Sequence, residues 1–275
     1  MTALLRTELY KALKRLRTYI AFAIVIGIPV IMTIAINANP PDARGGNGPG
    51  GGLFYLSTRS GLIMPAAALR LMSGFLLVII VAVFGGDAIA GEASWGNLRY
   101  LLMRPIRRGR LIATKFTVAV VCAWIATVLV VVAGLVAGGI AFGFHGLTVP
   151  TVSSLSQSTA QLFGHLGLAT VYVAWCLTGV VAFSFLVSCM TDAPAGAIFA
   201  GVGLYITSTI LDNISSVPSG IRNILPTHYF DAWTDMFTRN HVSSDMTKGA
   251  LLQLAYVAVF VSIAAWYFRR KDILS

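Results

Sequence analysis

The longest uncharged stretch of this sequence runs from Phe116 to Thr191 and contains no Asp, Glu, Lys or Arg. A helix needs about 20 apolar residues to cross the hydrocarbon core of a bilayer, so this stretch has room for two crossings and a loop. The whole chain is 57% hydrophobic and 11% charged, whereas soluble domains are about 25% charged. The sequence therefore indicates an integral membrane protein and excludes ordinary soluble enzymes and nucleic-acid-binding domains.

Apolar runs predict six membrane spans, at about 18–38, 66–88, 114–142, 162–190, 193–212 and 249–268. The second span contains Arg70, which we expect to face the protein interior or to extend toward the lipid headgroups. The prediction is an all-α integral membrane protein with one transmembrane domain over residues 1–275.

The basic residues are distributed unevenly between the two sides that these spans define. Fourteen of the 20 Lys and Arg residues lie before span one, between spans two and three, or after span six. The positive-inside rule then places both termini in the cytoplasm, and we expect a multi-pass protein of the plasma membrane, the inner membrane of a bacterium.

The segment before the first span has apolar residues at helical spacing, with Leu5, Leu9, Ala12 and Leu16 among cationic side chains. This pattern is typical of a helix that lies in the membrane interface. A basic topology signal without a defined fold explains the same residues, and the sequence leaves both interpretations open.

Signatures of catalysis are missing from the sequence: there is no His-Glu-x-x-His helix, no Gly-x-Ser-x-Gly turn and no Walker A motif. Gly85-Gly86-Asp87 is similar to the Gly-x-Gly-Asp of intramembrane aspartyl proteases, but Phe84 replaces the first glycine. We expect no catalytic residues and no metal site, and we expect the three cysteines to be small buried side chains.

The connection between spans two and three combines a helical apolar face with charges. Trp95, Leu98, Leu101 and Leu102 recur at helical spacing, and Pro105 would end such a helix. A short amphipathic helix on the cytoplasmic side suits docking to a soluble partner. Glu92 and Asp87, within a positive loop, favour specific polar contacts over contact with lipid.

The same connection resembles the cytoplasmic signature of type-2 ATP-binding-cassette (ABC) membrane subunits. The matching residues are Gly91-Glu92, Gly96-Asn97-Leu98, Leu101-Leu102, Pro105-Ile106-Arg107-Arg108, Leu111 and Lys115. Asn97 stands where the family usually has Thr, and Arg107 where it usually has Ser. The N-terminal Glu8, Lys11 and Arg15 resemble the interfacial elbow helix of that family.

The resemblance implies the permease subunit of an exporter that moves an apolar or amphipathic compound, such as a drug, lipid or peptide. It implies a dimer with a second copy or a related permease, and separate cytoplasmic ATPase subunits that hold ATP and Mg²⁺. This chain would itself bind no cofactor and would not be an enzyme. The residues expected to contact the ATPase are Gly91, Glu92, Trp95, Gly96, Asn97, Leu98, Leu101, Leu102, Pro105 and Arg108.

The segment between spans five and six is too apolar for a solvated loop. It contains Pro226, Tyr229, Phe230 and Trp233, and the resemblance implies short re-entrant helices at the outer mouth. An interfacial surface helix is the alternative interpretation.

Two questions stay open at this level. A self-sufficient channel or secondary carrier is the alternative function, although such proteins often carry intramembrane charges and only Arg70 and Asp87 approach that description here. Gly134-x-x-x-Gly138 and Gly139-x-x-x-Gly143 predict close helix packing, either within one chain or between two chains.

Overall fold

A computed structural model describes residues 2–41, 51–94, 108–146, 157–214, 216–238 and 244–270, and its regular elements within these ranges are helices. In chain order they are α1 (Thr2–Lys14), α2 (Leu16–Ala38), α3 (Gly51–Ser57), α4 (Met64–Ser73), α5 (Leu76–Ser94), α6 (Arg108–Phe142), α7 (Thr159–Met190), α8 (Pro194–Asn213), α9 (Ser219–Arg222), α10 (Asp235–Thr238) and α11 (Ser244–Arg270). A 3₁₀ turn covers Ala232–Thr234.

Six of these helices, α2, α5, α6, α7, α8 and α11, are long and apolar enough to cross a membrane. This confirms the predicted number of spans and the all-helical class, and the chain is a multi-pass membrane protein. Helices α5, α6 and α7 form the centre and are mostly buried, whereas α2, α8 and α11 are peripheral. Helix α7 packs against α5, α6, α8 and α11, and α2 packs against α6.

The peripheral helices expose apolar side chains, for example Ile31 and Ile34 of α2 and Phe199 of α8. Exposed aliphatic and aromatic side chains on this scale suit contact with lipid tails or with another membrane subunit, and not with water.

The predicted second span, 66–88, is wrong as a single helix because the chain breaks at Gly74–Phe75 into α4 and α5. The amides of Gly74 and Phe75 both bond to the Met72 carbonyl, so the turn tightens there. Glycine favours such a break because it lacks a Cβ and is a weak helix former. The 19 residues of α5 suffice for a span by themselves.

Helix α4 is buried against the second half of α6, where two glycines permit a close approach. A Cβ on Gly138 would lie 2.6 Å from the Gly61 carbonyl oxygen, and one on Gly134 would lie 2.9 Å from the Cα of Pro65. Gly134-x-x-x-Gly138 therefore serves packing within one chain, which resolves the question that the sequence left open for this pair.

The outer segment between α8 and α11 consists, over 216–238, of turns and helices of four residues. The re-entrant helices that the resemblance implies are not confirmed. Phe230, Trp233, Met236 and Phe237 are nonetheless buried, because the 3₁₀ turn packs on α7 and α11 and α10 packs on α3 and α7. The segment is thus a packed cap on one end of the bundle.

The cysteine prediction is confirmed: Cys122, Cys176 and Cys189 are buried in the helical core and form no disulfide with one another. They lie on α6 and α7 among apolar neighbours, as small side chains suited to close helix packing.

Candidate functional site

A buried lysine joins three helices at the end of the bundle where α1 lies. The Nζ of Lys115, on α6, is 2.7 Å from Oε1 of Glu92 on α5 and 3.1 Å from Oε2 of Glu8 on α1. The exposed fractions of the Lys115, Glu8 and Glu92 side chains are 4%, 8% and 9%. We call these three residues the Lys115 cluster.

A second ion-pair group lies beside it. Asp87 of α5 accepts a hydrogen bond from Arg15 on one carboxylate oxygen and from Arg17 on the other, each at 2.7 Å. We call these three residues the Asp87 cluster. The two clusters are linked because Nη2 of Arg15 is also 4.0 Å from Oε1 of Glu92.

The electrostatics of Glu8 reflect this arrangement. Burial alone raises the pKa of a carboxyl group, but the nearby charges and hydrogen bonds of Lys115 and Lys11 outweigh it, so the pKa of Glu8 is lowered from its ordinary value. Glu8 is therefore ionised at neutral pH. The second oxygen of Glu92, Oε2, is buried and has no hydrogen-bond partner within the described part of the chain.

The structure places the predicted elbow residues on both sides of this site. The Glu8 side chain points into the bundle. Lys11 lies on the exposed face of α1, with its Nζ 3.3 Å from Oε1 of Glu8, and Arg15 lies between α1 and α2. Helix α1 packs against α6 and α2. The leucine spacing correctly predicted a helix over Leu5, Leu9 and Ala12, but Leu16 lies on α2 because α1 ends at Lys14. The location of α1 in the membrane interface stays a prediction, and Glu8 joins α1 to the bundle through Lys115.

The predicted ATPase-contact residues fall partly within the structure. Gly91 and Glu92 lie on α5, where Gly91 is packed on the Asp87 carboxylate, and α6 begins at Arg108. The other residues predicted for this contact, Trp95, Gly96, Asn97, Leu98, Leu101, Leu102 and Pro105, lie outside the described residues. Contact with an ATPase stays a prediction for all of them.

The outer residues singled out from the sequence lie together in the cap. The Tyr229 carbonyl accepts a 2.7 Å hydrogen bond from the Tyr172 hydroxyl of α7. Phe230 and Trp233 are buried, while Pro226 is half-buried beside a small cavity between α7, α8 and α11. Arg70, expected either to face the protein interior or to extend toward the headgroups, pairs with Asp231 at 2.7 Å.

Arg17 and Lys115 were not predicted as partners of the acidic residues. The available signal was that opposite charges occur at the ends of three apolar runs, before span one, after span two and before span three. Among the described residues, no group of three or more His, Cys, Asp or Glu is arranged to hold a metal ion. The chemistry of this site is ion pairing.

Most of the chain is similar to known protein sequences. Residues 53–274 match a family described as "Protein of unknown function (DUF2705)". The chain is also 20% identical over 223 residues to "Uncharacterized protein YhcI" of Bacillus subtilis (strain 168), an alignment that covers 77% of this chain and 68% of that protein. The family match covers well over half of the chain. This six-span membrane protein therefore belongs to the DUF2705 family.

Proposed function

We propose that this protein is the permease subunit of an ABC exporter, which forms a dimeric path for an apolar or amphipathic substrate. ATP and Mg²⁺ would be held by separate cytoplasmic ATPase subunits that dock on the segment between α5 and α6. The observation that carries the proposal is the Lys115 cluster, which joins the helix before this segment to the helix after it. The sequence motif within the segment indicates that the expected partner is an ABC ATPase.

The contacts of α5 support a role in transmitting motion. In its last turns, Glu92 pairs with Lys115 of α6, which also binds Glu8 of α1. Asp87 pairs with Arg15 and Arg17 at the start of α2, and the remaining length of α5 packs against α6, α7 and α8. A displacement of the segment by an ATPase would therefore move α5, α6 and α1 together. Packed helices respond to such a force as rigid bodies that shift by small amounts.

The proposed topology has both termini in the cytoplasm of a bacterial inner membrane. The clustering of 14 of the 20 basic residues on that side supports it. The apolar exposed faces of α2 and α8 support the membrane partners that we propose, lipid and a second permease subunit, either identical or related.

The test is co-purification of the tagged chain from its native membranes in a mild detergent, followed by an assay of Mg²⁺-dependent ATPase activity. We expect activity with the wild-type chain and its loss with Leu98→Asp combined with Leu102→Asp. The matched control is Ile221→Asp combined with Ile224→Asp, two exposed positions in the outer segment, which should retain the ATPase.

A folded chain that brings no ATPase would contradict the proposal. So would loss of the ATPase in both double variants, since the effect would then not depend on the segment. Reconstitution of the chain alone in liposomes distinguishes the ABC permease from the alternative function. Only a self-sufficient channel or secondary carrier would give solute flux without ATP.

A further inference from the structure

A partly open cavity of about 60 Å³ lies between α1, α2, α5 and α6. Its walls are divided by chemistry. One part is apolar and includes Val83, Phe84, Val118 and Cys122, and the other part is charged and is lined by the residues Glu8, Lys11, Arg15, Arg17, Asp87 and Lys115. An apolar wall beside a charged one suits an amphipathic molecule.

The charged wall contains four cations and two carboxylates. Glu92, which is not part of the wall, also pairs with Lys115, so a net excess of one cation remains. Both oxygens of Asp87 are already engaged, so Asp87 holds Arg15 and Arg17 in place without neutralising both. An Arg side chain has five N–H donors, and within the described residues Arg17 uses one nitrogen, bonded to Asp87. The wall therefore presents ordered donors and net positive charge to a ligand.

The cavity also lies at a defined depth. Its charged residues lie near the ends of three spans, at the start of α2, about two turns before the end of α5 and in the second turn of α6. The apolar residues Phe84 and Cys122 lie deeper, near the middle of α5 and about four turns into α6. Helix α1, which supplies Lys11 and Glu8, precedes the first span. Span ends are where lipid headgroups meet the hydrocarbon core.

We propose that this cavity binds one anionic phospholipid, with its phosphate bonded by Arg15, Arg17 and Lys11. The first methylenes of an acyl chain would lie against Phe84, Val118 and Cys122. Arg pairs with phosphate through two parallel N–H bonds, and anionic headgroups attract cations at the membrane surface. The lipid would fasten α1 to the bundle beside the Lys115 cluster. This inference does not rest on the transport function.

The experiment measures phospholipid retention by the full chain, purified in a mild detergent, with native mass spectrometry. We expect phosphatidylglycerol to be retained at least about tenfold more tightly than phosphatidylcholine, since the cations of the wall attract the net negative charge that phosphatidylcholine lacks. Lys11→Gln combined with Arg17→Gln should lower retention of phosphatidylglycerol by about tenfold or more.

The matched control is Arg6→Gln combined with Lys14→Gln, which removes the same charge from exposed positions outside the cavity wall. It should change retention less than about twofold, because general attraction to the surface is weak for one bound lipid in detergent. The single variant Lys11→Gln, at a side chain that is 58% exposed, serves if the double variant does not fold.

Two results would overturn the proposal: equal loss in the two double variants, or no preference of the wild-type chain for phosphatidylglycerol. A third arm adds inorganic phosphate at millimolar concentration. If phosphate displaces the lipid completely and stabilises the wild-type chain to the same extent, the site binds free phosphate and the lipid assignment is wrong.

Discussion

The ammonium group of Lys115 lies 2.7 Å from Oε1 of Glu92, and this pair joins the helix that ends at Ser94 to the helix that begins at Arg108. Both side chains are more than nine-tenths buried. The 13 residues between those helices, 95–107, contain the apolar face that we propose as the ATPase contact. The pair thus connects the two helices that flank the segment proposed to contact the ATPase.

Removal of the buried cation is expected to destabilise the fold strongly. Lys115→Met leaves the carboxylates of Glu8 and Glu92 buried without their shared partner, which costs about 3–5 kcal/mol in buried pairs. Glu92→Gln should cost less, because Lys115 keeps Glu8 at 3.1 Å. The free energy of unfolding is measured by titration with a denaturing detergent in mixed micelles.

The control for this comparison is Lys248→Met, which breaks the exposed pair with Asp245. We expect no measurable change there, since surface ion pairs contribute little. If Lys115→Met and Lys248→Met lower the free energy of unfolding equally, burial does not determine how much the Lys115 cluster stabilises the fold.

The attachment of α1 should depend on pH through Glu8. Because the pKa of Glu8 is lowered in the folded protein, its contribution is fully present above the ordinary glutamate value of about 4.3 and is lost as the pH falls through the lower value. Hydrogen exchange of the α1 amides, measured over the acid range, should show α1 opening as Glu8 is protonated.

Glu8→Gln should show faster α1 exchange already at neutral pH. Asp87 and Glu92 face the same cations, so the comparison with this variant isolates the part due to Glu8. If α1 exchange in Glu8→Gln and wild type follows one curve at every pH, Glu8 does not hold α1.

The close approach of α4 and α6 should make Gly138 intolerant of a side chain. Gly138→Ala places a Cβ 2.6 Å from the Gly61 carbonyl oxygen, and overpacking of this kind costs about 1–3 kcal/mol. The matched control is Gly167→Ala on α7, where nothing lies within 4 Å of the added Cβ. That variant should be neutral or slightly stabilised in the same mixed-micelle titration, because Ala favours helix over Gly. Similar losses in both variants would contradict the packing argument.

The outer cap should loosen when the hydrogen bond from Tyr172 to the cap is removed. Tyr172→Phe deletes the donor to the Tyr229 carbonyl while keeping the ring, at a cost of about 1 kcal/mol. Faster hydrogen exchange in the cap, over 223–238, is the expected result. Tyr19→Phe, on the exposed face of α2, is the control and should leave the cap unchanged. Unchanged exchange in Tyr172→Phe would mean that this hydrogen bond does not hold the cap.

The spans could be predicted from the sequence because bilayer thickness converts apolar length directly into helices. Thus 162–190 and 193–212 were predicted close to the observed α7 and α8. The failure at 66–88 has a local cause. Apolar composition continues through Gly74, so composition does not report that the backbone turns there, and the break follows from glycine and from the burial of α4 against α6.

The residues of the site were predicted in separate roles, with Glu8, Lys11 and Arg15 in an elbow helix and Glu92 in the ATPase contact. The sequence indicated that Asp87 and Glu92 make specific polar contacts, and the structure confirms such contacts within the chain. Their partners were not predictable, since Arg15 and Asp87 are 72 residues apart and Lys115 and Glu8 are 107 apart. No local periodicity connects residues at those separations.

The sequence by itself determined the helical membrane class, the number of spans and the burial of the cysteines, because these depend on composition and run length. Only the tertiary structure decided that Gly134 and Gly138 pack α4 within one chain and that Lys115 is shared by Glu8 and Glu92. The physical reason is that a buried charge requires a partner, but which partner it meets depends on how the helices pack.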